Sequence, residues 1–407
     1  MKTAVPIPTA EKSTLAGSTP DEEPPGTKPP PFVSASADVQ AVSQSVVQSV
    51  VPHPTYVLRP LRGIVVLYSQ NEQVGKANSE DILADLETIA TANAVAQVLQ
   101  QHTNLGVHLL PASQHVESKL GRYPPGDYLV FNLFEGVDGL VGENGAGLAD
   151  EEARTAFVLK ELGYRFTGAH GHTLALAVNK AQTKALLASG GVLTPPWRVF
   201  GHPDEVSHST LGNLGFPLMV KPVAEDSSLA IDPEAVAIDL DSLRARVAYI
   251  VEQYHQHALV ESFIDGREFN VAIWGDPPQV LPLAEVDLSA FRDPRERIVS
   301  FAAKWHETSF EYHHTPVTCP AIVSDSLAAR IRATALRCWE LTECCGYARV
   351  DMRVQDGEIY VLEVNPNPSI AADAGFARAA KAAGFDYPQM ILNILSFLGE
   401  DIRAHCS

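Results

Sequence analysis

Residues 346–368 read Gly-Tyr-Ala-Arg-Val-Asp-Met-Arg-Val-Gln-Asp-Gly-Glu-Ile-Tyr-Val-Leu-Glu-Val-Asn-Pro-Asn-Pro, and no other stretch constrains the fold as much. Two β-rich runs, 347–354 and 359–364, flank Asp356-Gly357, a pair that accepts the positive φ angles of a tight hairpin turn. Glu363 and Asn365 are two apart and share a face of their strand. Whether Asp351 joins them depends on register. A plain two-residue loop pairs Asp351 with Leu362 and leaves Glu363 on the opposite face. A three-residue loop, Asp356-Gly357-Glu358, or a bulge beside the turn pairs Asp351 with Glu363 directly. Opposed carboxylates on a sheet face repel each other unless something cationic lies between them. Two carboxylates and an amide oxygen suit Mg²⁺, which takes few protein ligands and leaves room for substrate phosphates. The bland alternative is a surface hairpin with scattered acids.

The chain has 407 residues, enough for two or three domains. A formal charge of −19 argues against nucleic acid or an anionic membrane as partner, since either needs basic surface. The five cysteines show neither metal spacing nor an even disulfide framework, which points to a reducing compartment. No run approaches 18 apolar residues, and the N-terminus lacks a signal-peptide core. A soluble cytoplasmic protein is expected.

Residues 1–58 have the Pro/Ser/Thr/Ala composition of a disordered tail. The spacing of Val39, Val42, Val46 and Val50 permits one short helix there. From Gly63 a βα rhythm begins: strands at 63–68, 106–110, 127–133 and 165–167, and helices at 80–101 (N-capped by Ser79) and near 150–162. Such alternation predicts a small parallel sheet. A second unit, about 179–264, holds a helix, strands at 217–222 and 258–263, and a helix at 241–256. A third, about 265–400, is strand-rich (268–274, 280–286, 298–301 and the hairpin), accompanied by helices at 324–343 and 387–398.

Other residues carry chemistry. Lys221 ends an apolar strand, where a lysine is costly unless it faces an anion or reaches solvent. The following loop offers Ser227, Ser228 and backbone N–H groups as a phosphate cradle, although it has no glycine. Glu261 and Glu268 flank the linker Ser262-Phe-Ile-Asp-Gly266. Acceptors on either side, with Phe263 as apolar cover, suit a nucleoside; ordinary rim acids are the alternative. Lys304 lies in a long stretch of low periodicity, a candidate lid from which it can reach a phosphate. Asn132 and Glu135 stand beyond the carboxyl end of a parallel strand, where ligands bind in open α/β sheets.

Together these residues resemble the ATP-grasp superfamily, in its D-alanine–D-alanine ligase-like branch, over roughly residues 60–400. The resemblance rests on four segments in order: Phe166-Thr-Gly-Ala with Asn179-Lys180; Phe216-Pro with Val220-Lys-Pro222; Leu259-Val-Glu-Ser-Phe-Ile-Asp-Gly-Arg-Glu-Phe269; and Arg349-Val-Asp351 with Val361-Leu-Glu-Val-Asn365. It implies an α/β three-domain ATP-grasp fold, in which an N-terminal parallel α/β domain (59–178) precedes two α+β domains (179–264 and 265–401) that clamp ATP. It implies that Lys180, Lys221 and Lys304 contact the triphosphate and that Ser227 and Ser228 belong to the covering loop. Glu261, Phe263 and Glu268 would bind adenosine. Asp351, Glu363 and Asn365 would hold two magnesium ions, for which manganese can substitute. Arg349 would steady an acyl phosphate, with Lys304 and Ser228 as the other catalytic groups.

The implied activity is an ADP-forming carboxylate–amine ligase acting on small molecules, expected to be amino acids, with a homodimer as the expected assembly. Two alternatives stand beside it: an authentic D-alanine–D-alanine or depsipeptide ligase, and a non-catalytic nucleotide-binding scaffold. The chain departs from the ligase pattern where the first substrate should sit, at Asn132-Leu-Phe-Glu-Gly-Val-Asp-Gly139 and at Ser69-Gln-Asn after the first strand, and Ser369 stands where the ligases have a glycine. Asn132, Glu135 and Ser369 are therefore the candidate substrate residues.

Overall fold

The computed structural model describes residues 61–70, 79–113, 115–136, 148–225, 228–399 and 402. The expected tail, the valine-spaced helix within it and Ser227 lie outside the described residues.

The first sheet is parallel. Strands β1 (Gly63–Ser69), β2 (Gly106–Ala112) and β3 (Tyr128–Leu133) lie in the order β2-β1-β3. All seven residues of β1 are buried, as expected of a parallel strand covered on both faces. The strand expected at 165–167 is reduced to one parallel bridge, Val130 to Phe166. One face, through Val65, Leu67 and Val130, packs on Ala153, Ala156 and Leu159 of the helix Leu148–Glu161. The other, through Ile64, Val66, Leu129 and Phe131, packs on Met390, Ile391 and Ile394. The helix Tyr387–Ser396, expected to serve the third unit, therefore closes the first sheet and joins it to Trp274 and Tyr347.

The second sheet is antiparallel: β4 (Trp197–Phe200), β5 (Leu218–Pro222), β6 (Val236–Ala237) and β7 (Ala258–Ser262), in the order β4-β7-β5-β6. The helix Leu240–Tyr254 covers it through Leu243, Val247 and Ile250. Its start is set by a capping box in which Asp239 and Ser242 satisfy each other's backbone N–H groups.

The third sheet comprises β8 (Arg267–Trp274), β9 (Gln279–Val280), β10 (Ala284–Val286), β11 (Val317–Thr318), β12 (Tyr347–Gln355) and β13 (Glu358–Pro366). Its order is β11-β10-β8-β12-β13, with β9 on β8. The single strand expected over 280–286 is interrupted, and Pro282 in the gap has no N–H to give a ladder. Helix Asp325–Leu341 packs Ile331, Ala335 and Cys338 onto Val271, Ile273 and Val350.

One expected strand is absent. Residues 298–301 do not pair; instead the Ser300 hydroxyl accepts from the Ala303 N–H at 3.2 Å and caps the short helix Phe301–Trp305. Serine's preference for the N-cap overrides the β-propensity of the preceding Ile-Val. That helix carries Lys304.

Candidate active site

The hairpin places the carboxylates by a route the turn alone does not reveal. The loop is the plain two-residue one, Asp356-Gly357, with φ of 52° and 82° and Gln355 opposite Glu358. By itself this would set Asp351 against Leu362. A bulge at Leu362 adds one residue to β13, so that Met352 faces Val361 while Asp351 faces Glu363. Bulges re-aim side chains beside functional sites. Here the bulge brings Arg349, Asp351, Glu363 and Asn365 to one face, with Arg349 paired to Asn365.

Asp351 is buried and fully engaged. The Arg349 fork donates from Nε to Oδ1 and from Nη2 to Oδ2, both at 2.8 Å. Asn270 Nδ2, across the ladder on β8, donates to Oδ1 at 2.7 Å, and Asn365 Nδ2 to Oδ2 at 2.9 Å. Asn365 Nδ2 also reaches Glu363 Oε1 at 3.2 Å, so one amide spans the two carboxylates. Burial opposes ionisation of Glu363, yet Lys180, Lys221, Lys304 and Arg349 hold its carboxyl well below the usual range. The donor set fits a hard divalent cation. Two carboxylates face each other, and burial and the neighbouring Glu363 push the Asp351 pKa up, which a cation between them would relieve. Turning the Asn365 amide over would present its oxygen to the same point. Asn270 was missed in the sequence; its signal is that it lies two residues after Glu268 and shares that face.

A second cluster forms around Glu261 on β7. Lys221 Nζ on β5 lies 2.8 Å from Oε1. Lys184 Nζ lies 2.6 Å from Oε2, off the hydrogen-bonding direction, and donates to Thr194 Oγ1 at 2.6 Å. All three charged groups are buried, so Glu261 is occupied as counter-ion to two lysines, and its carboxyl is held low by them against the effect of burial. Burial outweighs Glu261 at Lys184 and pulls its pKa down to about 8. At Lys221, Glu261 and Glu363 outweigh burial and raise it. Lys184 was also missed, although it follows Lys180 by one helical turn in the helix Lys180–Ser189. Asn179 caps that helix, its side chain accepting from Gln182 N at 3.0 Å. Lys180 donates to the carbonyl of Glu225 in the loop after β5.

In that loop Ser228 takes φ 63° and Ala230 φ 57°, so left-handed turns are made without glycine. Ser228 Oγ donates to Val299 O at 3.1 Å and Phe301 N to Ile231 O at 3.0 Å, which ties the loop to the segment leading to Lys304. Lys304 is exposed, close enough to act electrostatically on Asp351 and Glu363. Glu268, the second residue of β8, is buried against Arg353, whose plane lies over Phe263.

The expected substrate residues meet at the helix Ser79–His102. Ser369 Oγ donates to Glu87 at 3.0 Å, and Thr88 contacts Glu135 at 3.4 Å. Asn132 instead points inward: it is buried, and its Oδ1 accepts from Phe134 N at 3.3 Å. Close by, Asn367 (φ 52°) accepts from Ala169 N at 2.7 Å and donates to Glu152 at 2.8 Å. The Phe166-Thr-Gly-Ala and Asn-Pro-Asn-Pro segments, nearly 200 residues apart, thus meet at one side chain.

A family profile described as "D-ala D-ala ligase C-terminus" matches residues 186–396. The D-alanine–D-alanine ligase of Desulforudis audaxviator is 30% identical over 273 residues, 66% of this chain and 81% of that protein. The chain belongs to the D-alanine–D-alanine ligase family. An uncharacterised protein of Sinorhizobium fredii is 31% identical over 317 residues, 75% of this chain and 86% of its own length. The ATP-complexed D-alanine–D-alanine ligase structure from Bacillus anthracis superposes with a TM-score of 0.61 at 21% identity, covering 84% of this chain and 99% of the other. The fold is thus the ATP-grasp α/β fold of these ligases. Among the described residues no helix is long and apolar enough to cross a membrane.

Proposed function

We propose that this family member is an ATP- and Mg²⁺-dependent carboxylate–amine ligase that joins two amino acids through an acyl phosphate, releasing ADP and phosphate. The observation that carries the reading is the single face shared by Arg349, Asp351, Glu363 and Asn365, under the electrostatic reach of Lys180, Lys221 and Lys304. Relatives named for D-alanine ligation support amino acids as both substrates. In this reading residues 59–178 form the first-substrate domain, and 179–264 and 265–401 the two nucleotide-binding domains. The site takes two magnesium ions in this reading, for which manganese can substitute, and the enzyme works as a cytoplasmic homodimer.

A carboxylate attacking the γ-phosphoryl group meets like charge, and magnesium held by Asp351, Glu363 and Asn365 supplies neutralisation when bound. Lys180, Lys221 and Lys304 add positive charge from the protein. Ser228, with Ser227 as the expected second hydroxyl, covers the phosphates in this reading, and Ser228 is anchored by its hydrogen bond to the Val299 carbonyl. Glu268 and Phe263 take the nucleoside. Glu261, ion-paired to both lysines, holds Lys221 in place beside the nucleoside. The Arg349 fork, matched here to a carboxylate, is shaped to hold the oxyanion that develops when the amine attacks the acyl phosphate. Segment 287–318 keeps water from that intermediate. Glu135 and Ser369, brought to adjacent residues of one helix, face the first substrate.

The test is phosphate release with Mg-ATP against D- and L-amino acids, singly and in pairs. Release with a particular pair alone supports the ligase and identifies its substrates. Tight ATP binding without release from any pair favours a nucleotide-binding scaffold.

A further inference from the structure

Arg353 was not among the residues singled out in the sequence, yet it is the most heavily engaged arginine near the nucleotide side of the site. It is 4% exposed. Nε donates to Glu268 Oε2 at 2.8 Å, and Nη2 lies 2.7 Å from the same oxygen. Nη1 donates to Ile264 O at 2.7 Å, and Nη2 to Arg297 O at 2.6 Å. Its guanidinium carbon stands 5.3 Å from the centre of the Phe263 ring. One planar group thus gathers three segments: the linker between β7 and β8, the first turn of β8, and the segment that leads to Lys304. Arg297 closes the circuit, its side chain donating to both oxygens of Asp265 at 3.0 and 3.2 Å.

The asymmetry at Glu268 is what points beyond packing. Both contacts from Arg353 fall on Oε2. Among the described residues, no donor is directed at Oε1, although the residue is only 6% exposed. A buried carboxylate with one oxygen clamped and the other unmet by protein is oriented to accept from a ligand hydroxyl. A lysine at 353 would supply the charge without the fork that fixes the plane and reaches two carbonyls.

We propose that Arg353 is a positioning residue for the nucleotide: it locks Glu268 so that Oε1 faces a ribose hydroxyl, and it sets the Phe263 ring as the apolar wall beside it. This rests on the nucleotide reading above. Arg353 touches no substrate itself; it acts through Glu268 and Phe263.

The test is discrimination between ATP and its 2′-deoxy and 3′-deoxy forms, read as ratios of kcat/KM in wild type, Glu268→Gln, Arg353→Met and Arg353→Lys. Wild type is expected to prefer ATP over one deoxy form by roughly ten- to a hundredfold, the worth of a hydrogen bond to a charged acceptor. That preference should collapse toward unity in Glu268→Gln and in both Arg353 variants, with KM for ATP rising more than kcat falls. A merely structural arginine would lower activity on all three nucleotides alike and leave the ratio untouched. Retained discrimination in Arg353→Lys, alongside its loss in Glu268→Gln, would overturn the positioning role and leave the ribose contact standing. Equal use of all three nucleotides by wild type would remove both. Arg353→Lys keeps the buried charge balanced, so the comparison survives if Arg353→Met fails to fold.

Discussion

Replacing Lys184 by Met tests the electrostatic account of the site. The ammonium is 2% exposed at the side chain and sits beside Glu261, which also serves Lys221. Burial brings its pKa from 10.5 to about 8, so Glu261 compensates only part of the desolvation. A depression of that size corresponds to about 3 kcal/mol against the folded state wherever both states are charged, that is, below pH 8. Between pH 8 and 10.5 the unfolded chain binds the extra proton, so stability from this group rises with pH. Methionine has nearly the same length and removes the penalty; against that, the Thr194 hydroxyl loses its partner, which costs roughly 1–3 kcal/mol. Lys184→Met is therefore expected to be unchanged or up to about 2 kcal/mol more stable at pH 7. Its advantage should shrink by about 2.5 kcal/mol by pH 10, where the wild-type lysine is neutral in the fold. Lys221, whose pKa Glu261 and Glu363 raise above 10.5 against burial, stays largely charged in both states at pH 7 and pH 10, so it contributes little to the difference. The measurement is urea unfolding of both proteins at pH 7 and pH 10. A loss of 3 kcal/mol or more at pH 7, with the same gap at pH 10, would refute the reasoning, since the Lys184–Glu261 contact would then be a net stabilising pair.

Glu261→Gln should behave oppositely, leaving two buried ammoniums uncompensated and costing roughly 3–5 kcal/mol in the same unfolding assay. Glu363→Gln should keep the circular dichroism of the fold but lower ADP formation by about a hundredfold or more; an active variant would sink the metal assignment. Gly168→Ala places a Cβ 2.3 Å from Asn367 Oδ1 at a φ of +89°. Strain and the disturbed Asn367 hydrogen bonds should together cost roughly 2–4 kcal/mol, visible as a lowered thermal midpoint.

The parts of this molecule legible in the sequence are those set by local chemistry. The turn at Asp356-Gly357, the apolar runs of β1 and β3, and the periodic helix Ser79–His102 are written in neighbouring residues. What could not be read depends on residues far apart. The bulge at Leu362 has no glycine or proline to announce it; two readings of the register therefore stayed open, and the structure reaches the Asp351–Glu363 pairing with a plain turn and a bulge well away from it. Lys184 looks like any solvent-facing helix lysine until Thr194 and Glu261 close over it. Arg353 alternates correctly with Asp351 on β12, but its partners Glu268, Ile264 and Arg297 come from three other places. The Ile298–Phe301 error is local, a competition between β-propensity and a serine cap that the cap won.

The buried charges also explain how a chain of net charge −19 can prepare a site for a polyanion. Such a protein cannot rely on its overall field, which repels ATP; it must hold cations where the triphosphate arrives and keep them there before it does. Five cations here have their own acceptors: Lys221 and Lys184 share Glu261, Arg349 takes Asp351, Arg353 takes Glu268, and Lys180 takes a backbone carbonyl. These partners differ in what they can release. Glu261 and Glu268 are buried strand residues paired to these cations, so Lys221 and Arg353 are fixed fittings. The Asp351 and Glu363 carboxylates face the same point and suit a divalent cation, so a metal arriving there would compete with the Arg349 fork for Asp351. The acids in this site therefore divide by partner, into those that hold lysines and arginines in place and those poised to exchange a protein cation for a metal.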